Sequence, residues 1–443
     1  MQTELHSFDG TENCSGDLMR PDRYRHLFGT LQKSDTCIPR GAGLSYCAAS
    51  AGENVRSVSC LPFNRILDFD PESGQIEVEP GLRLGELYRF ITPRGWSMPI
   101  LPGHPSITVG GCVGCNVHGK NHYRDGSFIN VVERLTLFHP DHGELDCSRQ
   151  KHPELFELTV GGFGLTGFVT SVRLRLRPLH GTAVRVKRQP VSSLQESAAL
   201  LEQNHTADLL YSWHDFNARG PHFGRGFLYR GESVDDPQIA NSTRPGDIRY
   251  RVLKSESRGN WPMGPLAPWL TRTAARVYGL TQRFSAEEKT YDLATASFPI
   301  NGKEVYFWLF GRNGFREYQV LIPKTAWNDV AEQIRQRIAA RNVSIGLASL
   351  KLFRSQGRLL RFDGEGICLA MDAPAGPKTA ALFADLDRIT EQAGGLVNLS
   401  KDSRLDAALV SRLFPGYHAF REGVQKFDPK RRFNSALRRR LDV

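Results

Sequence analysis

Apolar and polar positions along the chain fall into two regimes. Up to about residue 182, short alternating stretches are broken by runs of small residues; from about 183 those runs stop and longer apolar stretches take over. In the first regime, residues 74–79 alternate with the period of two of a half-buried strand, and 168–178 alternate apolar with basic residues in the same way. Residues 82–92 have the spacing of a helix, stopped by Pro93-Arg94-Gly95. In the second regime, 304–310 predicts a strand, while 325–340 and 379–393 predict helices. Residues 231–262, rich in Ser, Asp, Arg, Pro and Gly, predict a mobile loop. There is no internal repeat, and no run of the roughly 18 apolar residues that a membrane span requires. At 443 residues the chain is long enough for two cores.

The small-residue runs carry the candidate chemistry. The richest is 103–128, where Gly110, Gly111 and Gly114 let backbone amides approach a ligand with no Cβ in the way. Positive φ is expected at Gly111. Amides gathered in such a turn bind phosphate, and His118, Lys120, Asn121 and His122 come directly after as a cluster of polar donors. A second run lies upstream at Arg40-Gly41-Ala42-Gly43-Leu44-Ser45-Tyr46, and a third at 161–167. The third contains a literal G-x-G-x-x-G, but it leads into a strand pattern where a dinucleotide fingerprint would open a helix. No acidic residue stands about 20 positions on to hold a ribose. A Rossmann domain is therefore excluded.

These loops, in order along the chain, resemble those of the vanillyl-alcohol oxidase type of FAD enzyme, and within it the decaprenylphosphoryl-β-D-ribose 2-oxidase group. The resemblance continues through Val78-Glu79-Pro80-Gly81, Leu84-Gly85-Glu86-Leu87, Leu101-Pro102-Gly103, His118-Gly119-Lys120-Asn121-His122 and Gly126-Ser127-Phe128. Later it takes in Tyr318-Gln319, Leu350-Lys351-Leu352-Phe353, Gly366-Ile367-Cys368, Lys401-Asp402-Ser403-Arg404 and Phe427-Asp428-Pro429. It implies an α+β fold of two domains, the substrate domain being built on an antiparallel sheet. Residues 1–182, completed by 396–443, would form the FAD-binding domain and 183–395 the substrate-binding domain.

The same resemblance implies the site. Arg40, Gly41, Ala42, Gly43, Leu44, Ser45, Tyr46, Gly103, Thr108, Val109, Gly110, Gly111, Cys115, Asn116, Val117, His118 and Val169 would contact FAD. Lys401 and His118 would be catalytic, with Tyr46, Lys120, Gln319, Lys351 and Cys368 lining the substrate pocket. Many relatives attach FAD covalently through a His where this chain has Leu44, so FAD is expected to be held non-covalently. An aromatic contact of related enzymes is replaced by Asn398. Related enzymes also have a segment over the active site in the region of 231–262, which implies a lid. The implied reaction is oxidation of the 2-hydroxyl of a polyprenylphosphoryl-β-D-ribose to a 2-keto sugar lipid. A separate NAD(P)H-dependent reductase would complete epimerisation to the arabinose lipid. A soluble sugar or aldonolactone oxidase, and a non-catalytic basic scaffold, are the alternatives.

Charge and cysteines refine this picture. The net charge of +10 suits an anionic partner. Basic clusters at Lys430-Arg431-Arg432 and Arg438-Arg439-Arg440 suggest peripheral contact with anionic lipid headgroups. No nucleic-acid motif accompanies the charge. The N-terminus lacks the pattern of a secretory signal, and the eight cysteines form no regular framework. Both point to a cytoplasmic protein, at most peripheral to the inner face of the membrane. Cys112-x-x-Cys115 has no second C-x-x-C to complete a zinc site, so no metal is expected.

Overall fold

The computed structural model describes residues 2–253, 268–311 and 313–443. It is α+β, with three main sheets. A four-stranded sheet runs Gln2–His6, Asn13–Met19, Arg56–Ser59, Cys37–Arg40, and a five-stranded antiparallel sheet runs Ile66–Asp70, Gln75–Val78, Phe168–Arg175, Val132–His139, Gly143–Ser148. The eight-stranded sheet is antiparallel throughout, in the order Glu288–Asp292, Ala183–Val191, Gly226–Val234, Leu209–His214, Leu347–Phe353, Gly366–Pro374, Phe315–Ile322, Leu396–Val397.

Period-two alternation explains how the large sheet serves two surroundings at once. Tyr318, Val320 and Ile322 join Leu350, Leu352, Leu369 and Met371 in one buried core. The helices Leu194–Gln203, Trp327–Arg341 and Pro377–Gln392 pack there through Leu201, Ile334 and Phe383. The residues between, Glu317, Gln319, Ser349, Lys351 and Ala370, face away from those helices and line a cavity.

The chain's last part returns to the first unit. Cys37 N–H donates to Arg432 at 2.8 Å, Asn434 N–H to Cys37 at 2.9 Å and Ala436 N–H to Ala51 at 2.8 Å. Leu396 and Val397 instead pair with Leu321 and Val320 as an edge of the eight-stranded sheet, so the return begins after them.

Three expectations are corrected. Residues 304–310 do not form a strand; Val305–Trp308 is a short helix, which folds Phe307 and Phe310 onto Phe8 and Phe315. An apolar run this short carries no periodicity able to separate strand from helix. The expected mobile loop is in part ordered. Gly226–Val234 is a strand and Pro237–Ser242 a helix, while Ile248 accepts from Arg89 and Leu253 N–H donates to Ser106 Oγ at 3.1 Å. Residues 254–262, the remainder of the expected lid, lie outside the described residues. The basic C-terminal clusters are in part consumed within the fold. Arg438 is buried on Asp428 at 2.8 Å, Arg440 donates to Leu405 and Asp402, and Lys430 and Arg432 both approach Asp141. Lys430, Arg431 and Arg439 stay exposed, so three of the six basic residues remain on the surface.

Candidate active site

A cavity of ≈ 400 Å³ opens between the glycine loops and the uncovered face of the eight-stranded sheet. The first loop leaves strand Cys37–Arg40 and is tied across to the late chain: Tyr46 N–H and Ser45 Oγ donate to the Ser400 carbonyl at 3.1 and 3.0 Å. The second enters the helix Val109–Cys115, capped by Thr108 Oγ1, which accepts from Gly111 N–H at 3.2 Å. The third hangs on the second, with Gly161 and Phe163 N–H donating to Val113 and Gly114 at 2.8 Å each. It runs straight into the strand Phe168–Arg175, as the alternation predicts.

These loops form a cradle of backbone. Gly41, Gly43, Gly110, Gly111 and Gly114 all line the cavity. A Cβ at Gly110 would strike Pro80 Cβ at 2.8 Å, whereas one at Gly111 would meet only Thr108 Oγ1, at 3.2 Å, and otherwise point into open space. Gly111 is helical, with no positive φ, so its importance lies in the space it leaves and not in its conformation. That space, bounded by backbone amides, fits the pyrophosphate of a dinucleotide.

Ala42, Leu44, Ser45, Tyr46, Gly103, Thr108, Cys115, Asn116, Val117, His118 and Val169 line the cavity with the glycines. Two residues expected to contact FAD do not line it. The Arg40 guanidinium lies just behind the wall, donating at 3.0 Å to the Oγ of the lining residue Ser50, and Val109 packs inward with Leu82 and Leu84. Cys368, expected in the substrate pocket, stands across from Lys351 on the cavity side of the sheet but is covered by its neighbours Leu321, Phe353 and Phe362, and burial pushes its thiol up to about 12. Cys112 is fully buried while Cys115 faces the cavity.

The polar cluster after Gly119 divides. Asn121 donates to the carbonyls of His205 and Ala207, and His122 donates to Asp363 at 2.8 Å while accepting Arg354 N–H at 3.2 Å. Both are structural. His118 and Lys120 face the cavity. His118 Nδ1–H donates to Gly119 at 3.2 Å, leaving Nε2 to accept from Gln319 Nε2 at 3.4 Å. Burial, then Lys351, hold its pKa well below the ordinary histidine value, so the ring is neutral. Asn398, standing where an aromatic was expected, donates to Gln319 Oε1 and so fixes that amide.

Three lysines share the cavity. Burial, then Lys351, lower Lys120 to about 7; its Nζ donates to Leu101 at 3.2 Å and to the Ser297 carbonyl. Burial also lowers Lys351, and among the described residues no carboxylate pairs with either. Lys401 differs. Burial opposes its charge, but Glu317, 3.6 Å from Nζ, and Tyr46, whose ring centroid is 3.3 Å away, outweigh it, and the net shift is upward. Sequence reasoning missed Glu317, although it stands two residues before Gln319 and so shares its face of the strand.

Of the histidines near the flavin loops, His104 is paired with Glu304 at 3.0 Å and its other ring nitrogen accepts Ser106 N–H at 3.1 Å. With Leu44 in the first loop, that loop offers no histidine for a covalent flavin link. Acid precipitation is expected to release all flavin into the supernatant; a fluorescent denatured band on a gel would contradict this and point to His104.

Comparison with known proteins places this geometry in context. The FAD binding domain family matches residues 31–148. The chain is 26% identical over 419 residues to decaprenylphosphoryl-beta-D-ribose oxidase of Mycolicibacterium smegmatis, covering 92% of this chain and 89% of that protein. It is 30% identical over 385 residues to an uncharacterized protein of Streptomyces coelicolor, covering 82% of this chain and all of that one. L-gulonolactone oxidase of Mus musculus matches at 30% identity over 115 residues, 26% of each chain.

Proposed function

This chain belongs to the decaprenylphosphoryl-β-D-ribose oxidase-like family of FAD-binding proteins, and from that premise we propose that it oxidises the 2-hydroxyl of a polyprenylphosphoryl-β-D-ribose to the 2-keto sugar lipid. The coarser statement, an FAD-dependent oxidoreductase acting on a sugar-like substrate, comes from the family itself. The observation that carries the finer reading is the pair Lys120 and Lys351, two buried amines in one cavity, neither within ion-pair distance of a carboxylate among the described residues, with Glu317 acting on Lys351 only from farther off. Cations buried without partners are unfavourable, and an anionic ligand reverses that penalty. The phosphodiester of a sugar lipid supplies the anion, and Leu253, Ile300 and Phe307 offer apolar wall for the start of its chain.

In this reading Gly41 to Ser45, Thr108, Gly110 and Gly111 hold the pyrophosphate of FAD, and Cys115 to His118 with Val169 line the remainder of its site. When bound, FAD supplies the acceptor for the hydride of the carbinol C–H. Lys401, held charged by Glu317 and Tyr46, donates a hydrogen bond to the carbinol oxygen and stabilises charge developing there. His118, neutral and tethered at both nitrogens, orients Gln319 and packs the cavity wall. The 2-keto product would be consumed by a separate NAD(P)H-dependent reductase to complete an epimerisation. No helix among the described residues is long and apolar enough to cross a membrane.

Anaerobic bleaching of the flavin tests the reading. A polyprenylphosphoryl ribose is expected to bleach it, and free ribose or an aldonolactone is not. The reverse pattern would establish a soluble-sugar or aldonolactone oxidase, and a folded but colourless protein would establish a scaffold.

Lys120 also predicts a pH dependence. It ionises near 7, and a bound phosphate favours its ammonium form. Above that pH binding must take up a proton, so KM should rise as pH climbs from about 7 towards the ordinary lysine value. A KM that is flat across this range would remove Lys120 from the phosphate contact.

A further inference from the structure

The cavity wall carries a carboxylate pair, Glu317 and Asp372, of which only Glu317 is in ion-pair contact with Lys401. Glu317 stands directly across from Asp372 in antiparallel register, so their side chains leave the same face of the sheet as neighbours. Cβ atoms in such pairs lie about 4.5–5.5 Å apart. Asp372 is 3% exposed; its Oδ2 accepts the Tyr306 hydroxyl at 2.8 Å, and its Oδ1 is buried and meets no donor among the described residues. An ionised carboxylate buried with a single hydrogen bond is costly. A proton on Oδ1 removes the charge and turns the orphaned oxygen into a donor aimed at Glu317. Burial first, then Glu317, push Asp372 well above the ordinary carboxylate range, the same direction as the geometry.

Glu317 is placed differently. It reaches the cavity, and its Oε2 lies 3.6 Å from Lys401 Nζ. The titratable groups facing the pair are Lys401 and Tyr46 from two loops, Tyr306 from the helix Val305–Trp308, and Lys351 and Cys368 from the strands alongside. Of the two lysines only Lys401 is within ion-pair distance. One positive charge at the pair matches one negative charge, so the two carboxyls together hold one proton.

We propose that Glu317 takes the proton of the substrate hydroxyl, and that Asp372 is a positioning residue that stays protonated and holds Glu317 as an ionised acceptor. This rests on the reading of the cavity as a site of carbinol oxidation. The O–H bond breaks and its proton passes to a Glu317 oxygen, the O–H electron pair closing the C=O bond. The C–H bond breaks with its hydrogen leaving as hydride, for which bound FAD is the oxidant. The pair holds one proton before the step and two after it, and loss of one to solvent resets it. Lys401 cannot do this work because it is already protonated, and the free lone pair of His118 is taken by Gln319.

The test uses the FAD-loaded enzyme. Glu317→Gln should keep its flavin and lose about 10²-fold or more in the anaerobic rate of flavin reduction by substrate, the usual scale for a lost proton acceptor. Asp372→Asn copies the protonated acid. It should stay within about fivefold of wild type and leave the acid limb of the rate–pH profile in place, because no charge beside Glu317 has changed. Were Asp372 ionised, the same substitution would remove a negative charge and move that limb to lower pH, which overturns the proposal. A readout without substrate is the infrared difference between wild type and Asp372→Asn at neutral pH. Loss of a protonated-carboxyl stretch supports the pair, and its absence overturns it. If wild type bleaches with no sugar, lipid-linked or free, the proposed function falls and the role of Glu317 with it, while the infrared result still decides whether the proton is shared. If wild type oxidises the sugar lipid and Glu317→Gln does so within threefold, only the proton acceptor is wrong.

Discussion

Gly111→Val is expected to fold normally and to purify colourless. A Cβ at Gly111 touches protein only at Thr108 Oγ1, 3.2 Å away, and the backbone there is ordinary helix, so a side chain is tolerated by its surroundings. Replacing Gly by Val within a helix even improves propensity by a few tenths of a kcal/mol. The two γ-methyls extend into the space between the first and second loops that the cofactor's pyrophosphate needs. Gly110→Val is the contrasting control. Its Cβ would lie 2.8 Å from Pro80 Cβ and 3.0 Å from the Pro80 carbonyl, so this substitution should damage the fold itself. Flavin-to-protein ratio and circular dichroism separate the two. A Gly111→Val protein that stays fully loaded with FAD would show that the cradle lies elsewhere.

Lys401→Ala should bind FAD nearly as wild type does and lose most of its turnover. Its ammonium is held over Tyr46 and against Glu317, and no FAD-cradling glycine depends on it. Loss of one preorganised charged donor costs about 2.7–4 kcal/mol of transition-state stabilisation, or roughly 10²–10³ in rate. Lys401→Arg should also be poor, because a planar guanidinium, though it can stack on Tyr46, cannot reproduce the compact point charge that the ammonium presents to the carbinol oxygen. The measurement is anaerobic single-turnover reduction of the flavin at saturating substrate. Reduction of Lys401→Ala within threefold of wild type would remove Lys401 from the chemistry and make His118 the residue to test.

Much of the fold and of the glycine-lined cavity was legible along the chain. A glycine run and the alternation after it are local facts. The third loop could be separated from a Rossmann fingerprint because the next residues alternate with period two, and Phe168–Arg175 is indeed a strand. Leu44 speaks against a covalent link by its identity alone. The helices Trp327–Arg341 and Pro377–Gln392 fall within a few residues of their expected bounds, because the apolar stripes they bury against the sheet recur with helical spacing. The short run 304–310 misled, since its apolar residues answer to Phe8 and Phe315 and not to one another.

The sequence by itself therefore determined whatever neighbours within a turn or a strand decide: the glycine cradle, the strand after it, the helices, and the Lys401 and His118 candidates through their motifs. The tertiary structure alone decided which of the polar residues share the cavity. His122 and Asn121 stand beside Lys120 in the chain yet are spent on Asp363 and on the carbonyls of His205 and Ala207. Arg438 and Arg440 look like a free basic tail yet are bound within the fold. Glu317 and Asp372 are distant in sequence and meet only because two antiparallel strands set them in register. Local pattern fixes which face a side chain takes, but its charge state and its work depend on what faces it there, and strand pairing and burial set that.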